Sequence, residues 1–155
     1  MLKMIPLTQG MHTWVSRTDF NYLNKWKWLA KKDKRGNWYA CRVENEHLIQ
    51  MHRVIMNAPA NVQVDHRNGN GLHNWRRNLR VCTNAENSRN RKLNKNNTSG
   101  YKGVTPERGK YRARIKVNYE SINLGFFDTE IEAAKAYNRA AIHYHGDYAR
   151  LNILK

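Results

Sequence analysis

The stretch VDHRNGNGLHNWRRNLRVCTNAEN, residues 64–87, decides the reading of this chain. Between positions 61 and 97 Asp65 and Glu86 are the only acids, set against eight Lys and Arg. A lone carboxylate placed directly before a histidine, His66, among so many cations is either a local ion pair or the start of a catalytic site. VQVDH, residues 62–66, predicts a strand, and the Gly/Asn-rich RNGNGLHN that follows predicts a loop. LRVCT predicts a second strand, with Leu79 and Val81 alternating against Arg80 and Cys82. Thr83 and Glu86 have the S/T-x-x-E spacing of a capping box, which starts a helix at Thr83 and puts Asn87 and Arg91 on one face. The local plan is strand, loop, strand, helix, running to about Leu93.

Chemistry can be assigned to that plan. Histidine is the side chain best tuned to accept a proton near neutral pH. Hydrolysing a phosphodiester needs an activated water, neutralised phosphate charge and a stabilised leaving oxygen. Neighbouring strand positions send Asp65 and His66 to opposite faces, unless the twist relaxes at the strand end and lets both flank one cavity. Asn87 on the following helix would then complete a two-residue metal platform with Asp65.

Composition favours a nucleic-acid partner. The 155 residues carry 28 Lys and Arg against 12 Asp and Glu, a formal charge of +16. The excess is spread along the whole chain, as suits a protein neutralised by a polyanion that releases counterions on binding. No run has the apolar length of a membrane span, and no basic amphipathic helix stands out. Cys41 and Cys82 form no CxxC pair, so a zinc ribbon or disulfide framework is not expected and a reducing cytoplasm is the simpler setting. MLKMIPLTQG lacks the apolar region of a secretory signal.

Upstream, HTWVS, KWKWLAKK and NWYACRV predict short strands, with KKDKRGN as a hairpin turn between the last two. EHLIQMHRVIMNAPA continues the sheet and ends in a short apolar helix stopped by Pro59, with His52 packed within it. Trp14, Trp26, Trp28 and Trp38 read as the aromatic core of this β-rich part. Downstream, NKNNTSG is polar and reads as a linker. Tyr111, Ala113 and Ile115 then alternate with Arg112, Arg114 and Lys116, and TEIEAAKAYNRAAIHYHG predicts a helix capped by Asp128 or Thr129.

Residues 64–87 resemble the HNH (ββα-metal) nuclease motif, especially the phage-intron homing endonucleases that end it in asparagine. The resemblance implies that His66 is the general base and Asp65 the metal-binding acid. It makes Asn78 the central asparagine whose amide holds the loop and orients the histidine, and Asn87 the second metal ligand. An oxygen-only pair favours Mg²⁺ or Mn²⁺ over Zn²⁺. His73 could meet DNA from the loop. GYKGVTPERGKYRARI, LGFFDTEIEAAKAYNRAA and GDYARLN resemble the AP2/ERF DNA-binding domain, whose three-stranded sheet lies in the major groove. Lys102, Arg114 and Lys116 stand at its DNA-contacting positions, Arg112 is their neighbour, and Arg89, Arg91, Lys92 and Lys95 add basic residues.

The expected class is α+β: a small β-rich N-terminal part, the ββα motif at about 62–93, then a three-stranded antiparallel sheet packed on one helix. The expected domains are 1–97 and 98–155. The expected function is metal-dependent hydrolysis of DNA by a phage or mobile-element homing endonuclease. The alternative is a non-cleaving, sequence-specific DNA-binding regulator with a degenerate nuclease motif. The expected partner is double-stranded DNA, met by a monomer in the host cytoplasm, with no membrane and no small-molecule substrate.

Overall fold

The computed structural model describes residues 1–94 and 96–155, an α+β chain in two compact units, residues 1–87 and 88–155. In the first unit β1 (Leu2–Pro6) and β2 (His12–Ser16) form an antiparallel hairpin with Met4 opposite Trp14, followed by α1 (Arg17–Leu23). β3 (Leu29–Lys32), β4 (Trp38–Glu44) and β5 (His47–Gln50) make an antiparallel meander. KKDKRGN turns because Asp33 Oδ1 accepts the Arg35 and Asn37 N–H groups, both at 2.8 Å. The helix α2 (Met51–Met56) ends before Pro59, at Asn57, whose left-handed backbone (φ 46°) lets its N–H reach the Arg53 and Val54 carbonyls.

The stretch from residue 63 onward folds as β6 (Gln63–His66), β7 (His73–Asn74), a 3-10 turn at Arg76–Asn78, β8 (Leu79–Cys82) and α3 (Asn84–Arg89). β6 and β8 pair antiparallel, Asp65 opposite Arg80 and His66 opposite Leu79. Thr83 caps α3 through the expected box: its hydroxyl accepts the Glu86 N–H at 3.2 Å, and Glu86 Oε2 accepts the Thr83 N–H at 2.8 Å. α3 stops at Arg89, so Arg91 lies beyond the helix rather than on the face of Asn87. The expected loop also contains a strand. β7 pairs in parallel with β2, Trp14 with His73 and Val15 with Asn74.

α2 lies against β4, β5, β6, β7 and β8, which makes it the centre of the unit. Its Met51 is fully buried among Ile5, Val15, Leu23, Trp28, Ile55, Val64 and Leu79. Burying one such side chain contributes about 2 kcal/mol. Trp28 is in this core with its indole N–H on the Leu23 carbonyl at 2.8 Å, whereas Trp14 is 41% exposed on the outer face of β2.

In the second unit β9 (Val104–Glu107), β10 (Lys110–Val117) and β11 (Glu120–Phe127) form an antiparallel sheet with β10 in the middle, followed by α4 (Glu130–His145). Ala113 and Ile115 point into a core built with Ala133, Ala134, Tyr137 and Ala141 of α4, where the small side chains let helix and sheet approach closely. Thr129 is the N-cap and forms a full capping box with Glu132. Polar residues before the sheet are held: Ser99 Oγ lies 3.1 and 2.9 Å from the carbonyls of Tyr101 and Val104. Asn152 ties the C-terminal segment to α4 through Asn138 and to the backbone of Lys102.

Candidate active site and basic surface

Asp65 and His66 keep the pleat of β6, since the ladder to β8 runs through both without a shift of register. They therefore take different partners, in place of the relaxed strand end expected above. Asp65 lies opposite Arg80, whose Nε and Nη2 donate to Asp65 Oδ2 at 2.9 and 2.6 Å. Both residues are buried, so this carboxylate is compensated within the protein.

His66 is 5% exposed. Its Nε2 is 2.9 Å from Asn74 Oδ1, and its ring lies against His52 (centroids 5.0 Å) and Tyr39 (6.1 Å). Burial pushes the imidazole below the ordinary histidine range, against the Asn74 hydrogen bond and the nearby Asp65 charge, which raise it. A ring with this balance is neutral at neutral pH and can accept a proton. His52 is packed, as expected, but packed onto His66. Burial and its two neighbours His66 and Arg53 push it down to about 3, and its Nδ1 has no hydrogen-bond partner.

Asn78 ends the 3-10 turn and clamps the loop. Its Nδ2 donates to the His73 carbonyl at 2.7 Å and to Asn68 Oδ1 at 3.1 Å, while its Oδ1 accepts the Asn68 N–H at 3.2 Å. The asparagine of this loop that is hydrogen-bonded to His66 Nε2 is Asn74. The His73 ring is held between the Asn68 and Asn70 amides and stacks on Trp75 with centroids 4.8 Å apart. Arg76 closes the base of the loop with three hydrogen bonds to the buried Asp19, the shortest 2.7 Å. Asn87 is half-buried on α3.

The donors offered to a cation are a carboxylate and an amide oxygen, the set a hard divalent ion prefers. Asp65 and Asn87 are residues of the donor types that such an ion takes. Among the described residues no group of three or more His, Cys, Asp or Glu is arranged to hold a metal.

On the sheet of the second unit Arg114 and Lys116 are exposed opposite Asn123 and Ser121, and Arg112 lies opposite the exposed Phe126. The Arg112 guanidinium is 5.9 Å from that ring and 3.4 Å from Glu107. Arg91 and Lys92 are exposed and Arg89 half-buried, while Lys95 lies outside the described residues. Lys102 is placed differently from a solvent-facing lysine: its ammonium donates to the carbonyls of Arg89 and Arg91, the latter at 3.1 Å. Burial, with Arg150 and Arg91 nearby, pushes it down to about 8. His145 is buried and its Nε2 lies 3.1 Å from the Lys116 carbonyl, so this histidine serves the fold, while His143 is exposed. Cys41 and Cys82 are both free and buried. No helix among the described residues is long and apolar enough to cross a membrane.

Sequence reasoning passed over Asn74, Thr13 and Arg80. Arg80 could be found only from the β6–β8 register, and Asn74 only from its pairing with β2.

No family model and no solved structure matches the chain. An HNH endonuclease of Acanthamoeba polyphaga mimivirus is 29% identical to it over 151 residues, 93% of this chain and 76% of that one. Protein 3.8 of Escherichia phage T7 is 34% identical over 94 residues, 59% of this chain and 77% of that one. APETALA2-like protein 2 of Oryza sativa subsp. indica is 45% identical over 58 residues, which are 36% of this chain and 13% of that protein.

Proposed function

The chain belongs to the same family as Protein 3.8 of Escherichia phage T7, and we propose that it is a metal-dependent DNA endonuclease of the HNH type, of phage or mobile-element homing origin. The observation that carries this reading is a buried, neutral His66 fixed by a polar partner directly beside Asp65, on a strand–loop–strand–helix element. The description of the mimivirus relative as an HNH endonuclease supports it.

In the proposed reaction His66 takes a proton from water, and the oxygen attacks phosphorus as the bond to the 3′-oxygen breaks. The products are a 5′-phosphate and a 3′-hydroxyl. Asp65 and Asn87 would hold Mg²⁺ or Mn²⁺, which supplies electrostatic stabilisation of the departing oxygen. Asn78 keeps the loop closed so that the His66 ring stays in place. Arg112, Arg114 and Lys116 on an AP2-like sheet, with Arg89, Arg91, Lys92 and Lys95, hold the duplex. Lys102 is left out of this set because carbonyls occupy its ammonium.

The test is conversion of a supercoiled plasmid library to open-circular or linear DNA, with Mg²⁺ or EDTA, for the unaltered protein and His66→Ala. Cutting that needs Mg²⁺ and disappears in the variant, with DNA affinity kept, is expected. Undiminished cutting by His66→Ala sinks the assignment. DNA binding without cutting under any metal returns the regulator reading.

A further inference from the structure

We propose that the outer face of the β1–β2–β7 sheet, built on Trp14, His73 and Trp75, stacks on unpaired DNA bases, so that the first unit engages a single-stranded stretch of DNA. The inference rests on the DNA reading above and deepens it by naming the form of DNA held.

Alternation along β2 sends Thr13 and Val15 inward, both 0% exposed, and Trp14 outward. Thr13 is committed to the interior, where its hydroxyl donates to the Leu72 carbonyl and accepts from the Asn74 amide, both at 2.8 Å. The solvent side of such a hairpin is ordinarily polar. Here it carries Leu2 and Met4 of β1, 41% and 46% exposed, with Met4 directly opposite the exposed Trp14. On its other side Trp14 is paired with His73. Trp75 continues the extended backbone of β7, and its ring lies 4.8 Å from that of His73 at an interplanar angle of 32°. Three aromatic side chains thus follow one another on one face. The middle one is held in place, since its two ring nitrogens lie 2.8 and 3.2 Å from the Asn68 and Asn70 amides. With those polar atoms occupied, what His73 and Trp75 offer a ligand is ring surface.

Charge decides what covers this face. Residues 1–18 and 67–78, which supply all three strands, contain no acid and five cations: Lys3, Arg17, Arg67, Arg76 and Arg77. Of the two acids just beyond these segments, Asp19 is bound by Arg76 and Asp65 by Arg80. A second copy of the chain would bring the same cations and be repelled, whereas a polyanion is attracted. Rings interleaved with cations are the composition of a single-strand platform, in which the rings stack on bases and the cations follow the phosphates. A duplex presents only base edges in its grooves, so these rings need bases that are unpaired. β7 also carries Asn74, which is bonded to His66. The platform is therefore built on the strand that adjoins the proposed catalytic histidine.

The test is fluorescence anisotropy of the intact chain in EDTA with one labelled DNA sequence in three forms. These are a single strand of about 16 nucleotides, its duplex, and the same strand made of abasic sugars. Trp14→Ala should weaken single-strand binding by about 5- to 150-fold, the loss of one base–aromatic stack. Its affinities for the duplex and the abasic strand, and its salt slope, should stay as they are. Trp14→Tyr, which keeps a ring, should restore most of the loss. Single-strand affinity unaltered in Trp14→Ala, or no single-strand binding by the unaltered protein, overturns the proposal. Equal losses on single strand and duplex overturn it too, and make Trp14 a general DNA contact. Sedimentation showing a dimer that Trp14→Ala dissociates, with single-strand affinity kept, gives the face to a second copy instead. If Trp14→Ala does not fold, Met4→Glu sets a carboxylate opposite Trp14 and should give the same loss selective for the single strand. EDTA keeps cutting out of this readout. A chain that binds as expected but cleaves no DNA under any metal refutes the endonuclease reading and leaves the platform standing.

Discussion

Arg80 faces Asp65 across the β6–β8 ladder, its Nη2 2.6 Å from Oδ2, with Asp65 8% and Arg80 6% exposed. Two charges this deeply placed depend on each other. Removing one takes its charge partner from the other in a place that water barely reaches, which costs about 3–5 kcal/mol. Arg80→Met should lower the unfolding free energy in urea by that amount, and the double variant with Asp65→Asn should regain most of it. A loss below about 1 kcal/mol for the single variant would mean that solvent reaches the pair. Mg²⁺ should narrow the deficit of Arg80→Met, because a cation on Asp65 replaces part of the missing charge.

Gly71 carries the loop against β4. A Cβ built there would collide with the Trp38 carbonyl and the Tyr39 ring, and backbone cannot give way cheaply. Tyr39 in turn packs on His66. Gly71→Ala should therefore cost about 1–3 kcal/mol as overpacking does, and shift the ring environment that holds His66. The check is a thermal melt beside a cleavage assay run well below the melting temperature. Unchanged melting with unchanged cutting would show that the loop can lift off β4 freely.

The sequence discloses what is written locally. The alternation in LRVCT and the Thr83–Glu86 box specify a strand and a helix start, and both are present as expected. What needs a partner far along the chain stays hidden. β7 is two residues long and exists only because β2 lies beside it. Nothing local separates Asn74 from Asn68, Asn70 or Asn78, and only the fold makes it the one bonded to His66. α1 has a Ser16 cap whose side chain makes no capping bond, so its start carried no signal. The alternation of Ala113 and Ile115 with Arg114 and Lys116 was legible for the opposite reason, since one sheet face is buried and the other is not.

The buried histidines make the first unit sensitive to acid. His52 is held near 3 by burial, far below its unfolded value of 6.5. Between those values the unfolded chain binds more protons than the folded one, so stability rises with pH through this window and is lost as pH falls through it. His66 is lowered for the same first reason, burial, and adds in the same direction. Urea midpoints measured from about pH 7 to 4 should fall steadily, by an amount on the order of a few kcal/mol in free energy. His52→Phe should flatten that slope. A variant with the slope of the unaltered protein would mean that His52 is already solvated in the folded state.

Lysines and arginines of the second unit should separate into two classes. Arg114 and Lys116 are exposed on β10, away from the face packed on α4. Each, changed to alanine, should weaken DNA binding and lower the slope of log affinity against log salt by about 0.9 per lost phosphate contact. The melting temperature should hardly move. Lys102 should behave in the opposite way, because its ammonium satisfies the Arg89 and Arg91 carbonyls. Lys102→Met leaves those acceptors without their donor, a loss of about 1–3 kcal/mol, and should leave the salt slope where it was. Salt titrations and melts of the three variants decide this together. A reduced slope for Lys102→Met with unchanged melting would turn its side chain out to the nucleic acid and return it to the binding set.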